Sequence, residues 1–157
     1  STSRGLGDVY KRQAFIHSLS HYFEHLFDGI APKNIMLYLG GNDLTLGFGA
    51  DQIIAEISSF IQKIHKKFPK ANIYNIAIKP SLERKKELSK IKMINAGVQA
   101  LSEKLPYLNQ LGLYQKLVDS NRIRKDMLLQ DGLHLNEKGY KVLKELVLSG
   151  LEKQADF

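Results

Sequence analysis

Apolar residues along this chain recur at two spacings, one typical of amphipathic helices and one typical of buried strands. Four segments show helical spacing, with apolar positions at Ile16, Leu19, Phe23, Leu26 and Phe27; Ile53, Ile54, Ile57, Phe60, Ile61 and Ile64; Leu88, Ile91, Ile94, Val98, Leu101 and Leu105; and Tyr140, Leu143, Leu146 and Val147. Short apolar runs lie between them at 34–39 and 72–78, with a weaker one at 108–113. Such runs indicate strands that are buried on both faces of a sheet.

The boundaries of the helical segments carry residues that are expected at helix ends. Asp51 lies in the first turn of the second helix, and Lys66 and Lys67 lie in its last turn, where they suit the helix dipole. Ser81 and Asn136 are placed to cap the third and fourth helices. The alternation of helices and strands therefore predicts an α/β protein with a parallel sheet.

The first thirteen residues, STSRGLGDVYKRQ, break this pattern because they show neither helical nor strand periodicity. They also lack the apolar central region of a signal peptide. The run SRGLGDVYKRQ resembles the translation of a transposon-based sequencing adapter that was read through in frame. We therefore expect residues 1–13 to be a non-native tail, with a native disordered tail as the alternative.

Composition and charge narrow the class of protein further. Apolar content of 43% and charged content of 25% are ordinary for a soluble globular protein, and no apolar run approaches the roughly 20 residues that span a bilayer. The absence of cysteine excludes disulfides and thiolate metal sites but leaves the compartment open. The net charge of +7 is spread along helical stretches, including the polar helix face at 83–92, so we predict no nucleic-acid partner. The lack of a long apolar run predicts no transmembrane segment.

Two motifs carry side chains that are suited to catalysis. The first, GGND at 40–43, directly follows a predicted strand, and ligands bind at the carboxyl ends of the strands in an open parallel sheet. The glycines allow a sharp turn and a close approach to the backbone, and Asn42 is placed to donate to a developing oxyanion. A glycine turn with a capping Asn or Asp is the structural alternative.

The second motif, DGLHLN at 131–136, places an acid and an imidazole in one turn before the last predicted helix. Imidazole is the side chain best matched to general-base work near neutral pH, and a carboxylate on its other nitrogen fixes the tautomer. Asp131 and His134 are close enough in sequence to form such a pair. The structural alternative is a turn whose histidine packs over a helix start.

Together the two motifs resemble the SGNH hydrolases, also called GDSL-like esterases and lipases. That family carries Gly-x-Asn-Asp after a strand and Asp-x-x-His just before its C-terminal helix, in the same order as here. The resemblance runs roughly from Phe23 to Leu148 and includes IAIKPSLER at 76–84. It implies a three-layer α/β/α, flavodoxin-like fold and a serine-dependent ester hydrolase without a metal or organic cofactor.

The resemblance also implies a role for each matching residue. Asn42 would be an oxyanion-hole donor, His134 the general base and Asp131 the acid that orients it. The residues around Asn42, namely Gly40, Gly41 and Asp43, would support the turn and the oxyanion hole. The substrate would be a small-molecule, lipid or carbohydrate ester, whose acyl and alcohol parts the sequence leaves open.

The family's nucleophilic serine, in a Gly-Asp-Ser block, has no counterpart in this sequence. The nearest match, LGDV at 6–9, has Val9 at the serine position and follows no strand. We therefore expect residues 14–157 to be the C-terminal portion of one such domain, lacking one or two strands and the nucleophile, and to be inactive alone. Ser58, Ser59 and Ser81 are weak substitutes, since two lie within a helix and the third is explained as a cap.

Other functions were weighed against the esterase hypothesis. His17, His21 and His25 have the i, i+4 spacing of zinc ligands, but no carboxylate completes the set, and surface histidines are the better interpretation. A non-catalytic flavodoxin-like domain that binds an anion at GGND is one rival hypothesis. An enzyme in which the acid–histidine pair activates water directly is another.

Overall fold

The computed structural model of the chain describes residues 32–41 and 43–155. Its strands are β1 (Asn34–Leu37), β2 (Asn72–Ile76), β3 (Leu108–Leu111), β4 (Val118–Asp119) and β5 (Arg122–Ile123). Its α-helices are α1 (Ala50–Lys67), α2 (Leu88–Lys104), α3 (Leu113–Lys116) and α4 (Glu137–Ala155). Short 3-10 helices cover Asp43–Leu46, Lys85–Glu87 and Lys125–Met127. The helix predicted around Ile16–Phe27 lies outside the described residues.

The main sheet has the strand order β1-β2-β3, and both of its strand pairs are parallel. In this register Ile73 of β2 lies opposite Ile35 of β1 and Leu108 of β3. Parallel neighbours need crossover connections, and α1 and α2 supply them. The predicted α/β class with a parallel sheet is thus confirmed.

Side chains alternate between the two faces of the sheet, and each face has its own apolar cluster. Ile35 and Ile73 belong to the cluster that includes the buried faces of α1 and α2. Met36 and Tyr74, their neighbours along the strands, belong to the second cluster, which includes Val147 of α4. Burial on both faces explains why the strands read as continuous apolar runs in the sequence.

The antiparallel hairpin of β4 and β5 was not predicted. Its two turn residues, Ser120 and Asn121, have φ values of +48° and +65°. Two consecutive residues in the left-handed region form the tight turn that matches the twist of a hairpin. The sequence signal for this hairpin is the dipeptide Ser-Asn between two short segments that each contain an apolar position. The signal is weak because no glycine occupies the turn.

The start of α2 differs from the prediction, since Ser81 does not cap this helix. The helix begins at Leu88, and no side chain caps it at Glu87. The Ser81 hydroxyl instead accepts a hydrogen bond from the Arg84 backbone N–H at 3.0 Å. The physical reason is that residues 85–87 form a separate 3-10 turn between Ser81 and α2. The Ser81 hydroxyl therefore closes the loop before this 3-10 turn instead of capping the helix.

A buried asparagine forms hydrogen bonds with the backbone just beyond the end of β2. The Asn95 side chain accepts from the Ile78 N–H at 2.8 Å and donates to the Ile78 carbonyl at 2.9 Å. These bonds satisfy backbone groups that have left the strand ladder, which is required where they are buried. They also fix the starting point of the loop that follows, residues 79–84.

In the described part of the chain, no helix combines the length and the apolar character that crossing a bilayer requires.

Candidate active site

The loop of residues 129–136, here called the acid–histidine loop, brings Asp131 and His134 into direct contact. Asp131 Oδ2 lies 2.5 Å from His134 Nδ1. Asp131 Oδ1 accepts hydrogen bonds from the backbone N–H groups of Leu133 at 2.9 Å and His134 at 3.0 Å. Gly132, with φ of +69°, makes the tight turn between them. The hydrogen bond predicted between the acid and the imidazole is confirmed.

These hydrogen bonds hold the acid in its charged form. The bond to His134, followed by the N–H groups of Leu133 and His134, lowers the pKa of Asp131 from 3.8 to about 2. Both side chains are about half exposed, at 46% for Asp131 and 52% for His134. Asp131 therefore stays ionised near neutral pH and fixes the imidazole through Nδ1, which leaves Nε2 as the nitrogen available to a substrate.

Asn136 fastens this loop to the start of α4. Its side-chain oxygen accepts from the Gly139 N–H at 2.9 Å, which confirms the predicted helix cap. Its side-chain nitrogen donates to the carbonyls of Asp126 at 2.7 Å and Leu128 at 3.3 Å. One side chain thus links the start of α4 to the 3-10 helix Lys125–Met127 and the residue that follows it.

The glycine loop, residues 38–43, follows β1. Gly40 has φ of +96°, and a β-carbon there would lie 3.0 Å from the Ile78 side chain and 3.3 Å from the Ile53 side chain. The position therefore requires glycine for both its conformation and its packing. The Asp43 side chain is fully buried at the start of the first 3-10 helix. Asn42 lies outside the described residues, so its role in an oxyanion hole stays a prediction.

The loop of residues 79–84, here called the bridging loop, contacts both of the other loops. The Leu82 N–H donates to the Gly132 carbonyl at 2.8 Å, and the Lys79 N–H donates to the Tyr38 hydroxyl at 3.3 Å. A β-carbon on Gly41 would lie 3.1 Å from Arg84 Nη1. Parallel pairing places the carboxyl ends of β1 and β2 side by side, so all three loops belong to one edge of the sheet.

The bridging loop also carries two cationic side chains to which the sequence prediction gave no role. Partial burial, followed by the nearby charge of Arg84, lowers the pKa of Lys79 to about 8, although the charges of Asp131 and Glu83 act to raise it. Burial raises the pKa of Tyr38. The sequence signal that could have pointed to Lys79 was its position directly after a predicted buried strand, at the edge of the sheet where ligands bind.

Of the three serines considered as substitute nucleophiles, two lie on α1 and the third closes a turn inside the bridging loop. Ser58 and Ser59 lie on α1, and the Ser58 hydroxyl accepts from the Gln62 side chain at 3.0 Å. Ser81 has no exposed surface and closes its own turn. Across 32–41 and 43–155, no three His, Cys, Asp or Glu side chains cluster as metal ligands would. His17, His21 and His25 lie outside these ranges.

Solved structures of several hydrolases resemble this fold. A GDSL-like lipase from Bacteroides thetaiotaomicron is 20% identical with a TM-score of 0.76, over 90% of this chain and 72% of that chain. A carbohydrate esterase family 3 protein from Talaromyces cellulolyticus is 17% identical with a TM-score of 0.72, over 90% and 68%. The lipase/acylhydrolase from Enterococcus faecalis is 17% identical with a TM-score of 0.70, over 90% and 72%. At these identities the likeness establishes the fold.

The sequence itself establishes the family. No curated protein matches it. Residues 14–142, however, match the GDSL-like Lipase/Acylhydrolase family, and this match includes the glycine loop, the bridging loop and the acid–histidine loop. The resemblance inferred from the two sequence motifs is thereby confirmed, and the chain belongs to the GDSL-like lipase/acylhydrolase family of hydrolases.

Proposed function

We propose that residues 14–157 form part of a serine-dependent ester hydrolase in which His134 is the general base. Asp131 orients His134, and Asn42 donates to the oxyanion, with Gly40, Gly41 and Asp43 supporting that loop. The observation that carries the proposal is the contact of 2.5 Å between Asp131 Oδ2 and His134 Nδ1. It belongs to a loop whose backbone N–H groups also hold the acid, so the pair is preorganised before any substrate binds.

The reaction would proceed in two halves. A serine hydroxyl attacks the ester carbonyl while His134 Nε2 accepts its proton, and the oxyanion that forms is stabilised by donors of the glycine loop. The alcohol then leaves with the proton from Nε2, and an acyl-enzyme remains. Water attacks the acyl group, His134 takes the proton of that water, and the serine recovers its proton as the acid departs.

The 157-residue sequence contains no Gly-Asp-Ser block, so this chain alone is expected not to hydrolyse esters above background. The substrate is proposed to be a small-molecule, lipid or carbohydrate ester. Support for the ester class comes from the family, and the solved relatives named above include both a GDSL-like lipase and a carbohydrate esterase. The acyl and alcohol parts remain open to substrate screening.

The decisive experiment supplies the missing nucleophile. A Gly-Asp-Ser-bearing N-terminal segment from the Bacteroides thetaiotaomicron relative would be joined to Ala14, and hydrolysis of p-nitrophenyl acetate would be followed. The matched control is the same graft with its serine replaced by alanine. We expect turnover by the serine graft and none by either the alanine graft or the original chain.

Two results would contradict the proposal. A folded serine graft without turnover on any ester in a panel of acetyl, butyryl and octanoyl esters would remove the esterase assignment. Hydrolysis by the original chain that disappears in His134→Ala would instead favour direct activation of water by the acid–histidine pair.

A further inference from the structure

Two cationic side chains at the candidate site have no part in the proposed ester chemistry. Lys79 and Arg84 lie at the two ends of the bridging loop, and both are partly buried. In the ranges that the structure describes, neither side chain forms an ion pair within 4 Å of a carboxylate. Arg84 carries five N–H donors on a partly buried guanidinium, and no carboxylate among the described residues pairs with it at close range.

The backbone fixes Arg84 beside the glycine loop. Its N–H donates to the Ser81 hydroxyl, which is itself fully buried, so the start of this side chain is held by the interior. Its Nη1 atom approaches Gly41 closely enough to lie 3.1 Å from a β-carbon built there. Because Gly41 has no side chain, the Arg84 guanidinium has room to lie directly beside the glycine loop.

Lys79 is held in the same region by Tyr38 and by the charges around it. The Tyr38 hydroxyl accepts from the Lys79 N–H, and the charges of Arg84 and Glu83 in the bridging loop and of Asp131 in the acid–histidine loop act on the Lys79 ammonium. Asp131 is already engaged by three hydrogen bonds, and Glu83 is exposed to solvent. Neither carboxylate therefore neutralises the two cations at close range.

Two positive charges held together and partly out of water repel each other and lose hydration. Such an arrangement becomes favourable when an anion lies between them, because charge-assisted hydrogen bonds to a carboxylate or phosphate are strong. Arg and Lys are also the side chains that recognise these groups, Arg through its planar fork and Lys as a compact charge.

We propose that Lys79 and Arg84 form an anion subsite beside His134, which selects esters that carry a second, negatively charged group. This group is a carboxylate or a phosphate, since both offer the oxygen acceptors that a guanidinium and an ammonium bind together. The assignment of the ligand as an ester rests on the proposed function, whereas the binding of the anion does not.

The first test measures anion binding by the 157-residue chain, with sodium acetate and inorganic phosphate as probes. Backbone amide shifts of Leu82, Glu83 and His134 in two-dimensional NMR give the Kd. We expect Lys79→Gln and Arg84→Gln each to raise the Kd at least tenfold, whereas Lys92→Gln, at an exposed position of α2, changes it less than twofold. Lys79→Arg and Arg84→Lys keep the charge and should retain binding. Equal Kd values for the neutral variants and the control would overturn the proposal.

A second measurement separates ligand binding from a merely structural role. Acetate keeps its charge above pH 6, so loss of its binding between pH 7 and 9 reports on the protein. Because the pKa of Lys79 is lowered to about 8, binding should weaken severalfold across this range. In Lys79→Arg, which stays charged, the affinity should remain constant. Identical pH profiles in the two proteins would contradict the assignment of Lys79.

The third test uses the serine graft and compares p-nitrophenyl esters of acetate, hemisuccinate and phosphoacetate. The subsite predicts a kcat/KM preference for the charged esters, which Lys79→Gln and Arg84→Gln abolish, and the preferred ester distinguishes a carboxylate from a phosphate. Equal rates for all three esters would refute the subsite and leave the esterase function intact. Binding of acetate that depends on Lys79, in an inactive graft, would refute the esterase function and leave the subsite intact.

Discussion

The acid–histidine loop and the glycine loop lie at the same edge of the sheet but obtain their shapes from different interactions. Three hydrogen bonds of Asp131, all to groups within three residues, shape the first loop. Packing shapes the second, since Gly40 adopts φ of +96° against the side chains of Ile53 and Ile78, which are distant in sequence. At one edge of the sheet, a local hydrogen-bond network thus shapes one loop and a long-range packing constraint shapes the other.

This contrast explains why the two loops respond differently to change. Substitutions of Asp131 or His134 in the acid–histidine loop remove chemical groups, because these side chains themselves form the hydrogen bond between the acid and the imidazole. A substitution at Gly40 adds atoms that the Ile53 and Ile78 side chains must make room for, so it is expected to act through the stability of the core. The bridging loop couples the two, since it bonds to Gly132 on one side and reaches Gly41 on the other.

The largest effect is expected from the imidazole. In the serine graft, His134→Ala should lower kcat/KM by about 10⁴-fold or more, because triad members act as a unit. The matched control is His65→Ala, whose ring stacks on Tyr107 at 3.6 Å rather than on any residue of the three site loops. Esterase assays of both variants test whether the acid–histidine loop is the chemical part of the site. A His134→Ala graft with nearly full activity would reverse that conclusion.

The next effect is expected from the packing of the glycine loop. Gly40→Ala should lower the free energy of unfolding by about 1–3 kcal/mol, because a side chain is strained at positive φ and meets Ile78. Gly47→Ala has φ of +79° in open space and isolates the conformational strain. Gly49→Ala has neither problem, so its cost should be limited to the poorer N-cap that alanine makes at the start of α1, less than about 1 kcal/mol. Denaturant unfolding of the three variants would order these costs, and equal stabilities would contradict the packing argument.

A smaller effect is expected at the junction between the acid–histidine loop and α4. Asn136→Ala should lower the free energy of unfolding by roughly 1 kcal/mol through loss of the helix cap. Asn136→Asp keeps the oxygen that accepts from Gly139 but loses the donors to Asp126 and Leu128, so it separates capping from the carbonyl contacts. Thermal unfolding of both variants measures the two parts. If Asn136→Asp is as unstable as Asn136→Ala, the carbonyl contacts dominate.

The smallest effect is expected from acid titration of Asp131. Its folded pKa of about 2 lies below the ordinary 3.8, so its stabilising contribution is present above about pH 4 and is lost as the pH falls through 2. Asp131→Asn should therefore flatten the dependence of the unfolding midpoint on pH between 4 and 2. Asp126→Asn is the matched comparison, because Lys138 and Arg124 lower the pKa of Asp126 outside the acid–histidine pair. An unchanged slope in Asp131→Asn would show that the loop's hydrogen bonds do not favour the charged acid.

The sequence alone determined the class of the fold and the local geometry of one loop. Apolar runs at β1 and β2 and helical spacing in α1 report burial directly, because burial on two faces or on one stripe leaves a periodic pattern. The contact between Asp131 and His134 was predictable for a related reason, since both groups lie in one turn and need no distant partner.

Only the tertiary structure decided which side chains from different segments share the sheet edge. Arg84 comes to lie beside Gly41, and Leu82 bonds to Gly132, because parallel pairing sets strands 38 residues apart next to each other. The capping role predicted for Ser81 failed for a similar reason, since the loop turned once more before α2 began. The periodicity of apolar residues in the sequence indicates which positions are buried. Strand order and the packing of loops determine which residues each position contacts, and both arise from the packing of the whole chain.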